Sequence, residues 1–305
     1  MVHSTTNKKT KSRFTASPER FIEEALKKLV RESSANRLMG FEGDPIFEEP
    51  LIGFADGDDR LFAEYKKLIH QHHFLPREIL INHLKETMKV EANYPEHVSV
   101  VSFVLPANRK TLRSNALETE GPSLRWNHTR WKGQEFIKTL SRELVFLLKG
   151  LGVQAVAPEL TPFFKIMALP DGFVSNWSQR HIAYAAGLGT FSLNDGFITA
   201  RGMAMRCGSV VIGLKLKPSI RPYKHYRANC LFYAGEKCGW CITRCPGSAI
   251  SEKGHDKLKC FHVLYVHQAP WLKGDHGPGY IGKYAGCGLC QTGVPCSDRI
   301  PEKKD

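Results

Sequence analysis

The sequence lacks any apolar run near the ~20 residues that a membrane-spanning helix needs. Its best, Val210 to Leu216, is the size of a strand. The N-terminus has no apolar core segment and no paired arginines, so neither a secretory nor a twin-arginine signal is expected, and the cytoplasm is the expected compartment with no membrane partner. No fixed-period repeat is present, which argues against solenoids, and no low-complexity segment occurs beyond the N-terminal tail. Acidic residues are comparatively few: 30 Asp and Glu stand against 43 Lys and Arg, giving a net charge of +13 and a pI near 9.3. Such an excess suits a nucleic acid, an acidic protein or an anionic substrate, but it describes association rather than fold.

The 305 residues, 42% hydrophobic, are enough for two packed units. Lys8, Lys9, Lys11 and Arg13 sit among Ser, Thr and Asn, so residues 1–17 read as a disordered basic tail. Ser17-Pro18-Glu19 then resembles an N-cap with proline at the first helical position, and Ile22, Ala25, Leu26, Leu29 and Val30 recur at helical spacing. A second helical stretch is expected over 61–84, interrupted by Pro76, with His70, His72, His73 and His83 on solvated faces. Val98 to Leu105 reads as a buried strand, Trp131 to Lys149 as a helix stopped by Gly150, and Val153 to Ala157 as a further strand. This order points to an α/β arrangement in which the long loop 106–130 forms a pocket rim. Arg125, Trp126, His128, Arg130 and Trp131 mix basic and aromatic side chains there, a composition that suits a nucleotide or a corrinoid tail and equally the start of a helix.

Nine cysteines in a reducing compartment are better read as metal ligands than as disulfides. Eight of them fall between Cys230 and Cys296, which sets a domain boundary near residue 222 and leaves Cys207 as a lone buried thiol. Cys238, Cys241, Cys245 and Pro246 reproduce the C-x2-C-x3-C-P end of the bacterial ferredoxin run, with Cys230 seven residues upstream. Cys260, Cys287, Cys290 and Cys296 make a second set, so two 4Fe-4S clusters are expected. In the two-cluster ferredoxin pattern the cysteine before proline ligates the other cluster. The expected ligand sets are accordingly Cys230, Cys238, Cys241 and Cys296, and Cys245, Cys260, Cys287 and Cys290. Structural zinc is the rival reading, but zinc ribbons present two C-x2-C knuckles per metal whereas each set here has one. Gly235, Gly239, Gly286 and Gly288 suit close approach of backbone N–H groups to cluster sulfides.

The cysteine order resembles that of the cobalamin-dependent epoxyqueuosine reductases and the related reductive dehalogenases. Lys259-Cys260-Phe261 and the segment Tyr284-Ala285-Gly286-Cys287-Gly288-Leu289-Cys290-Gln291 are similar to their second cysteine motif, and Gln179 to Thr190 resembles their Ala-Gly-Leu-Gly segment. The likeness covers about residues 95 to 300. It implies an α+β fold: a nitroreductase-like α/β corrinoid-binding domain over 18–222, followed by a ferredoxin-like two-cluster module over 223–305, with cobalamin bound base-off between them. Arg180, His181, Gly187, Gly189, Asn194, Gly208 and Ser209 are its implied cofactor contacts. Asp171 and Tyr184 are the candidate proton donors, with a turn and helix packing as their ordinary alternatives. The implied partners are a ferredoxin or flavodoxin donor and a small-molecule or nucleoside-type substrate, with tRNA left open. The gap of five residues before Cys296, the chain's end just after the cysteines and the absence of a long export-linked N-terminus depart from the family pattern and point to an intracellular relative with an unassigned substrate. Two other functions fit the residues: a corrinoid-free electron carrier or adaptor, and an RNA-binding iron–sulfur protein.

Overall fold

Ser17 separates two helices, the second opened by Pro18. In the computed structural model, which describes residues 8–88 and 94–303, α1 (Lys8–Ala16) is followed by α2 (Pro18–Glu32). Proline presets a helical φ at the start of α2, and Ile22, Leu26 and Val30, each four residues from the next, are buried on one face. The basic stretch expected to be disordered is helical from Lys8 onward. Phe14 is buried and meets Phe21 edge-on with ring centroids 5.5 Å apart, and packing of this kind stabilises a helix too short to form alone. The rest of that expected tail, residues 1–7, lies outside the described residues.

A short hairpin of β1 (Arg37–Leu38) and β2 (Asp44–Pro45) precedes β3 (Leu51–Asp56), α3 (Arg60–Leu68) and α4 (Pro76–Met88). The helical stretch expected over 61–84 is thus two helices, α3 capped by the Asp59 carboxylate at Leu61 N (3.0 Å) and α4 opened by Pro76. His70 and His72 lie between them, and His73 is buried rather than solvated. Next come β4 (Ser99–Pro106), α5 (Arg109–Ala116), α6 (Leu124–Gly150) and β5 (Ala155–Val156). The segment expected as an open loop from 106 to 130 therefore holds α5 and the first two turns of α6. Side-chain caps explain both starts: Asn108 accepts from Lys110 N at 2.8 Å, and Ser123 Oγ accepts from Trp126 N at 3.1 Å.

The chain continues through a β6 (Ile166–Leu169) and β7 (Gly172–Ser175) hairpin, α7 (Gln179–Ala185), a β8 (Gly189–Phe191) and β9 (Phe197–Thr199) hairpin, and β10 (Met205–Ile212). It ends in α8 (Trp240–Thr243), β11 (Ile250–Ser251), β12 (Gly254–His255), α9 (Lys257–His262), α10 (Ala269–Lys273) and largely irregular backbone. The central sheet runs β3-β4-β10-β5 and is antiparallel at every pairing, with Ser102 opposite Ser209. Strand, helix and strand over 98–157 therefore do not form a parallel pair; β4 and β5 flank β10, and the result is a mixed helix-and-sheet fold. Among the described residues no helix is long and apolar enough to cross a membrane.

All eight residues of β4 are buried, because both faces of the sheet are covered. Val101, Phe103 and Leu105 pack with Leu26 of α2 and Phe136, Leu140 and Leu144 of α6. Val100 points the other way, toward Ile79, Leu80 and Ile182. An unbroken apolar run is what a strand covered on both faces requires.

Gly208 in β10 leaves room for this packing: a Cβ there would lie 2.4 Å from the Phe103 ring. Gly208→Val is expected to destabilise the fold by about 1–3 kcal/mol through overpacking, read as a lower denaturant midpoint in urea unfolding.

Candidate functional site

All nine cysteines are free thiols. Cys230, Cys238, Cys241 and Cys296 line one small cavity together with Leu193 and Met203. Cys260, Cys287 and Cys290 line a second, larger cavity of about 320 Å3. Burial pushes the Cys296 thiol up to about 12, and its next influences are Cys230, Cys241 and Cys238. Burial likewise pushes Cys260 up to about 12, reinforced by Cys287 and Cys245. Cys290 is raised by burial and then by Cys287, Cys260 and Cys245, with Cys241 of the first group beyond them. The chain thus gathers two foursomes of thiols, which approach each other at Cys241 and Cys290. Among the described residues no three ligating side chains converge tightly enough for a single metal ion. Thiols raised by one another's proximity ionise more readily once a cation joins them.

The frame around the second foursome is built by α5 and α6. Trp126 Nε1 donates to the Gly286 carbonyl (3.1 Å), Trp131 Nε1 to that of Tyr284 (3.1 Å), and Asn127 Nδ2 to that of Ile281 (3.0 Å) while its Oδ1 accepts from Ile281 N (2.8 Å). His128 Nε2 lies 2.8 Å from the Gly279 carbonyl. From α5, Asn115 Nδ2 reaches the Cys287 carbonyl (3.0 Å) and Thr292 Oγ1 (2.9 Å). The Trp, Arg and His cluster read as a nucleotide contact or the start of a helix is an early stretch of α6 that holds the second cysteine motif. Gly286 and Gly288 adopt φ of +69° and +60°, and Cβ atoms there would meet Arg130 at 2.7 Å and Trp126 at 2.1 Å. Close packing against α6 requires these two glycines. Gly235 also has positive φ but open space beside it, and Gly239 is extended at φ −163°.

Arg244, one residue before Cys245, joins the two motifs. Its Nε donates to the carbonyls of Leu289 (3.3 Å) and Thr292 (3.0 Å), Nη1 to that of Glu118 (3.0 Å) and Nη2 to that of Asn115 (3.3 Å). Nothing in the cysteine spacing marks Arg244, Asn115 or Asn127, because backbone carbonyls carry no sequence signal.

Of the other expected site residues, Arg180 and Asn194 line the larger cavity. Asn194 Nδ2 donates to the Cys290 carbonyl (2.8 Å) and Oδ1 accepts from Gly196 N (2.9 Å). Arg180 donates to the Asp195 carbonyl. His181 sits between Tyr65 and Phe191, ring centroids 5.2 and 4.6 Å away, with Nδ1 2.7 Å from Ser178 Oγ. Tyr184 is partly buried with its ring 6.2 Å from that of Phe191. Gly187 turns the chain after α7 at φ +75°, where a Cβ would meet the Ile220 carbonyl, and Gly189 opens β8 against the Ile198 carbonyl. Ser209 Oγ accepts from Trp177 Nε1 (2.9 Å) and donates to Gln179 (2.8 Å). Asp171 is exposed in the turn between β6 and β7. Neither Asp171 nor Tyr184 lines the larger cavity. Cys207 is partly buried with Sγ 3.4 Å from Met205 Sδ, and burial pushes its thiol up to about 12. Arg206 and His255 also line the cavity without having been marked by the sequence, whereas Arg130 belongs to the basic and aromatic cluster already noted.

No family model and no curated protein matches the chain. Among solved structures it is similar to an epoxyqueuosine reductase from Bacillus subtilis, at 15% identity and TM-score 0.41 over 83% of this chain and 65% of that one. It is also similar to an epoxyqueuosine reductase solved with a tRNA-Tyr epoxyqueuosine-modified tRNA stem loop, at 15% identity and TM-score 0.38 over 80% of this chain and 57% of that one. A selenomethionine-labelled epoxyqueuosine reductase matches at 15% identity and TM-score 0.42 over 92% and 69%. The chain spans less than two thirds of the length of the first two.

Two measurements test the frame. Arg244→Met removes a guanidinium bonded to four carbonyls and is expected to cost about 2–3 kcal/mol, seen as a lower melting temperature and faster proteolysis within 279–296. His73 Nδ1 faces the Phe74 carbonyl (3.1 Å) and Nε2 accepts from Ser178 N (3.1 Å), an arrangement only a neutral imidazole can satisfy. Burial lowers His73 to about 4 and His181 to about 3, against an ordinary 6.5. The unfolded chain then binds more protons than the folded one as pH falls below about 6.5, so stability is lost from there down toward pH 4. His73→Gln is expected to show a shallower fall in melting temperature across that window.

Proposed function

We propose that this chain is an iron–sulfur oxidoreductase with two 4Fe-4S clusters, one on Cys230, Cys238, Cys241 and Cys296, the other on Cys245, Cys260, Cys287 and Cys290. What supports this is that Cys230, Cys238, Cys241 and Cys296 line one cavity and Cys260, Cys287 and Cys290 another, with Cys245 close to Cys260 and Cys290. Bound there, such clusters supply one-electron transfer at low potential. The chain's own residues set the direction of traffic. Cys238 borders an open surface groove with exposed Trp240 and a mixed set of charges, Lys237 and Arg299 with Glu236, Asp298 and Glu302, and is the cysteine from which an electron donor such as a ferredoxin or flavodoxin would be reached. Cys241 faces Cys290, and Cys287 and Cys290 border the inner cavity where a substrate is reduced. Nine free cysteines suit a reducing compartment such as the cytoplasm.

The finer reading is a cobalamin-dependent reductase of the epoxyqueuosine or dehalogenase type, with a nitroreductase-like corrinoid domain over 18–222 and a ferredoxin-like module over 223–305. The cysteine order and the Gln179 to Thr190 segment support it, and a nucleoside-type or tRNA substrate belongs to the same reading. The cavity itself does not hold a whole corrinoid. Its volume of about 320 Å3 is at the low end for drug-sized ligands, and of the expected corrinoid contacts only Arg180 and Asn194 reach it. This small volume favours a second reading, a corrinoid-free iron–sulfur electron-transfer protein.

Anaerobic purification with iron and cobalt analysis separates them. About eight irons per chain are expected. Cys238→Ser and Cys296→Ser should each leave about four irons with the same EPR signal, and Cys245→Ser and Cys260→Ser should each leave the other signal. If Cys245→Ser and Cys238→Ser abolish the same signal, the exchanged ligand sets are wrong. Cobalt retained after incubation with cobalamin selects the corrinoid reductase, and its absence selects the electron-transfer protein.

A further inference from the structure

Gly196 to Gly235 is a stretch of 40 residues without an Asp or Glu, yet it holds seven Lys and Arg. Arg206 lines the larger cavity, and two others are neutralised, Arg201 by Glu48 and Arg221 by Asp59. The remaining four, Lys215, Lys217, Lys224 and Arg227, form no ion pair among the described residues, and the three lysines and His225 are exposed.

This basic segment is fixed to the body of the protein. Lys217 N donates to Glu19 Oε1 of α2 (2.7 Å), Ser219 N donates to the Phe54 carbonyl of β3 (2.9 Å), and the Tyr226 carbonyl accepts from Phe191 N of β8 (2.7 Å). Asn229 closes it, with its N donating to Thr190 Oγ1 (2.9 Å) and its Nδ2 to the Ile198 carbonyl (3.0 Å). With Glu19 beside Lys217 and Asp59 on Arg221, the uncompensated charge concentrates at the C-terminal end, on Lys224 and Arg227.

That end meets the first cysteine foursome. Cys230 N donates to the Arg227 carbonyl (3.1 Å). The Arg227 guanidinium lies 5.0 Å from the Tyr226 ring centroid and 4.0 Å from that of Tyr233, and Tyr233 packs against the apolar cluster that contains Cys230, Cys241 and Cys296. Asp195, the carboxylate that acts on Tyr233, is offset by His255, Arg180 and Lys257. Leu231, four residues after Arg227, lines the groove at Cys238. The groove itself carries no surplus, since Lys237 and Arg299 stand there against Glu236, Asp298 and Glu302.

We infer that an acidic electron-transfer protein docks on Lys224, His225 and Arg227, with the 44% exposed Tyr226 among them, and delivers its electron to the first foursome from the Cys230 side. One electron leaves the donor and is taken up at the foursome, with no bond made or broken. The inference rests on the reading of that foursome as a cluster site, and it adds where the donor sits and what charge it bears. Opposite charges on two such surfaces speed encounter by about 10- to 1,000-fold at low salt. An RNA strand would answer to the same charge, but stacking of bases needs open ring faces. Here Arg227 covers Tyr226 and Tyr233, and the His225 ring lies 4.4 Å from that of Tyr226.

The test is stopped-flow reduction of the anaerobically purified, iron-loaded full-length protein, followed by loss of its visible absorbance. Reduced flavodoxin serves as the acidic protein donor, and reduced methyl viologen, a small cation, as the reductant that needs no docking. The flavodoxin rate constant is expected to fall steeply as salt is raised. Lys224→Glu, on an exposed side chain, should lower it about tenfold at low salt. Arg227→Gln should lower it less, Lys224→Arg should leave it unchanged, and none of the three should slow methyl viologen. An unaltered flavodoxin rate in Lys224→Glu, a rate indifferent to salt, or slowing by Lys237→Glu but not by Lys224→Glu overturns the inference. So does loss of RNA oligonucleotide binding in Lys224→Glu with the flavodoxin rate intact, which would assign the segment to nucleic acid. Iron that methyl viologen reduces, with flavodoxin indifferent to Lys224, sinks this inference alone; a protein that takes up no iron sinks the cluster reading beneath it.

Discussion

The hydrogen bonds from the first turns of α6 to the backbone of 279–288 are the constraint on which the rest of this structure depends. A segment with almost no regular secondary structure has few ways to satisfy its own carbonyls. Here Trp126, Asn127 and Trp131 satisfy them from one helix, and Asn115 does so from another. The helix that supplies these donors is anchored at its far end in the core through Phe136, Leu140, Leu144 and Leu148. The cysteine motif is therefore held by the same rigid element that covers the central sheet. Positioning ligands from rigid secondary structure, with supporting bonds behind them, keeps a redox site from rearranging as its charge changes.

Arg244 performs the complementary task from the other motif. A guanidinium next to Cys245 that bonds four carbonyls ties the first cysteine motif to the second and to α5. Asn194 adds a bond to the Cys290 carbonyl from the β8–β9 hairpin. The two thiol groups thus belong to the fold of the whole chain, since residues from three distant segments determine their separation. The cavity lies at the meeting place of these supports, which explains why its lining comes from α6, β10, the β8–β9 turn and the cysteine segment together.

How far the sequence revealed this varies by residue. The apolar run 98–105 marked β4, and the four-residue spacing of Ile22, Leu26 and Val30 marked α2, because periodicity reports burial directly. The start of α6 was less visible. Ser123 caps it, yet the following residues are polar and aromatic because they face a cysteine loop rather than an apolar core, so the helical period does not show there. The histidines of 70–73 looked alike in sequence. Only the fold separates buried His73, bonded at both nitrogens, from its neighbours. Gly208, expected as a ligand contact, makes room for Phe103. Glycine records that space is short, not what fills it.

By itself the sequence determined the cysteine inventory, its spacing and the order in which the thiols follow one another, because local spacing limits which ligands can share a site. It also determined the principal core segments. Tertiary structure decided which arginines face inward, where the expected proton donors fall and how large the inner cavity is. The pairing of Arg130 with Arg206 joins α6 to β10 across 76 residues of chain. Two charges brought together by the packing of a helix on a sheet leave no mark in local sequence, since each is an ordinary surface residue until the fold closes around it.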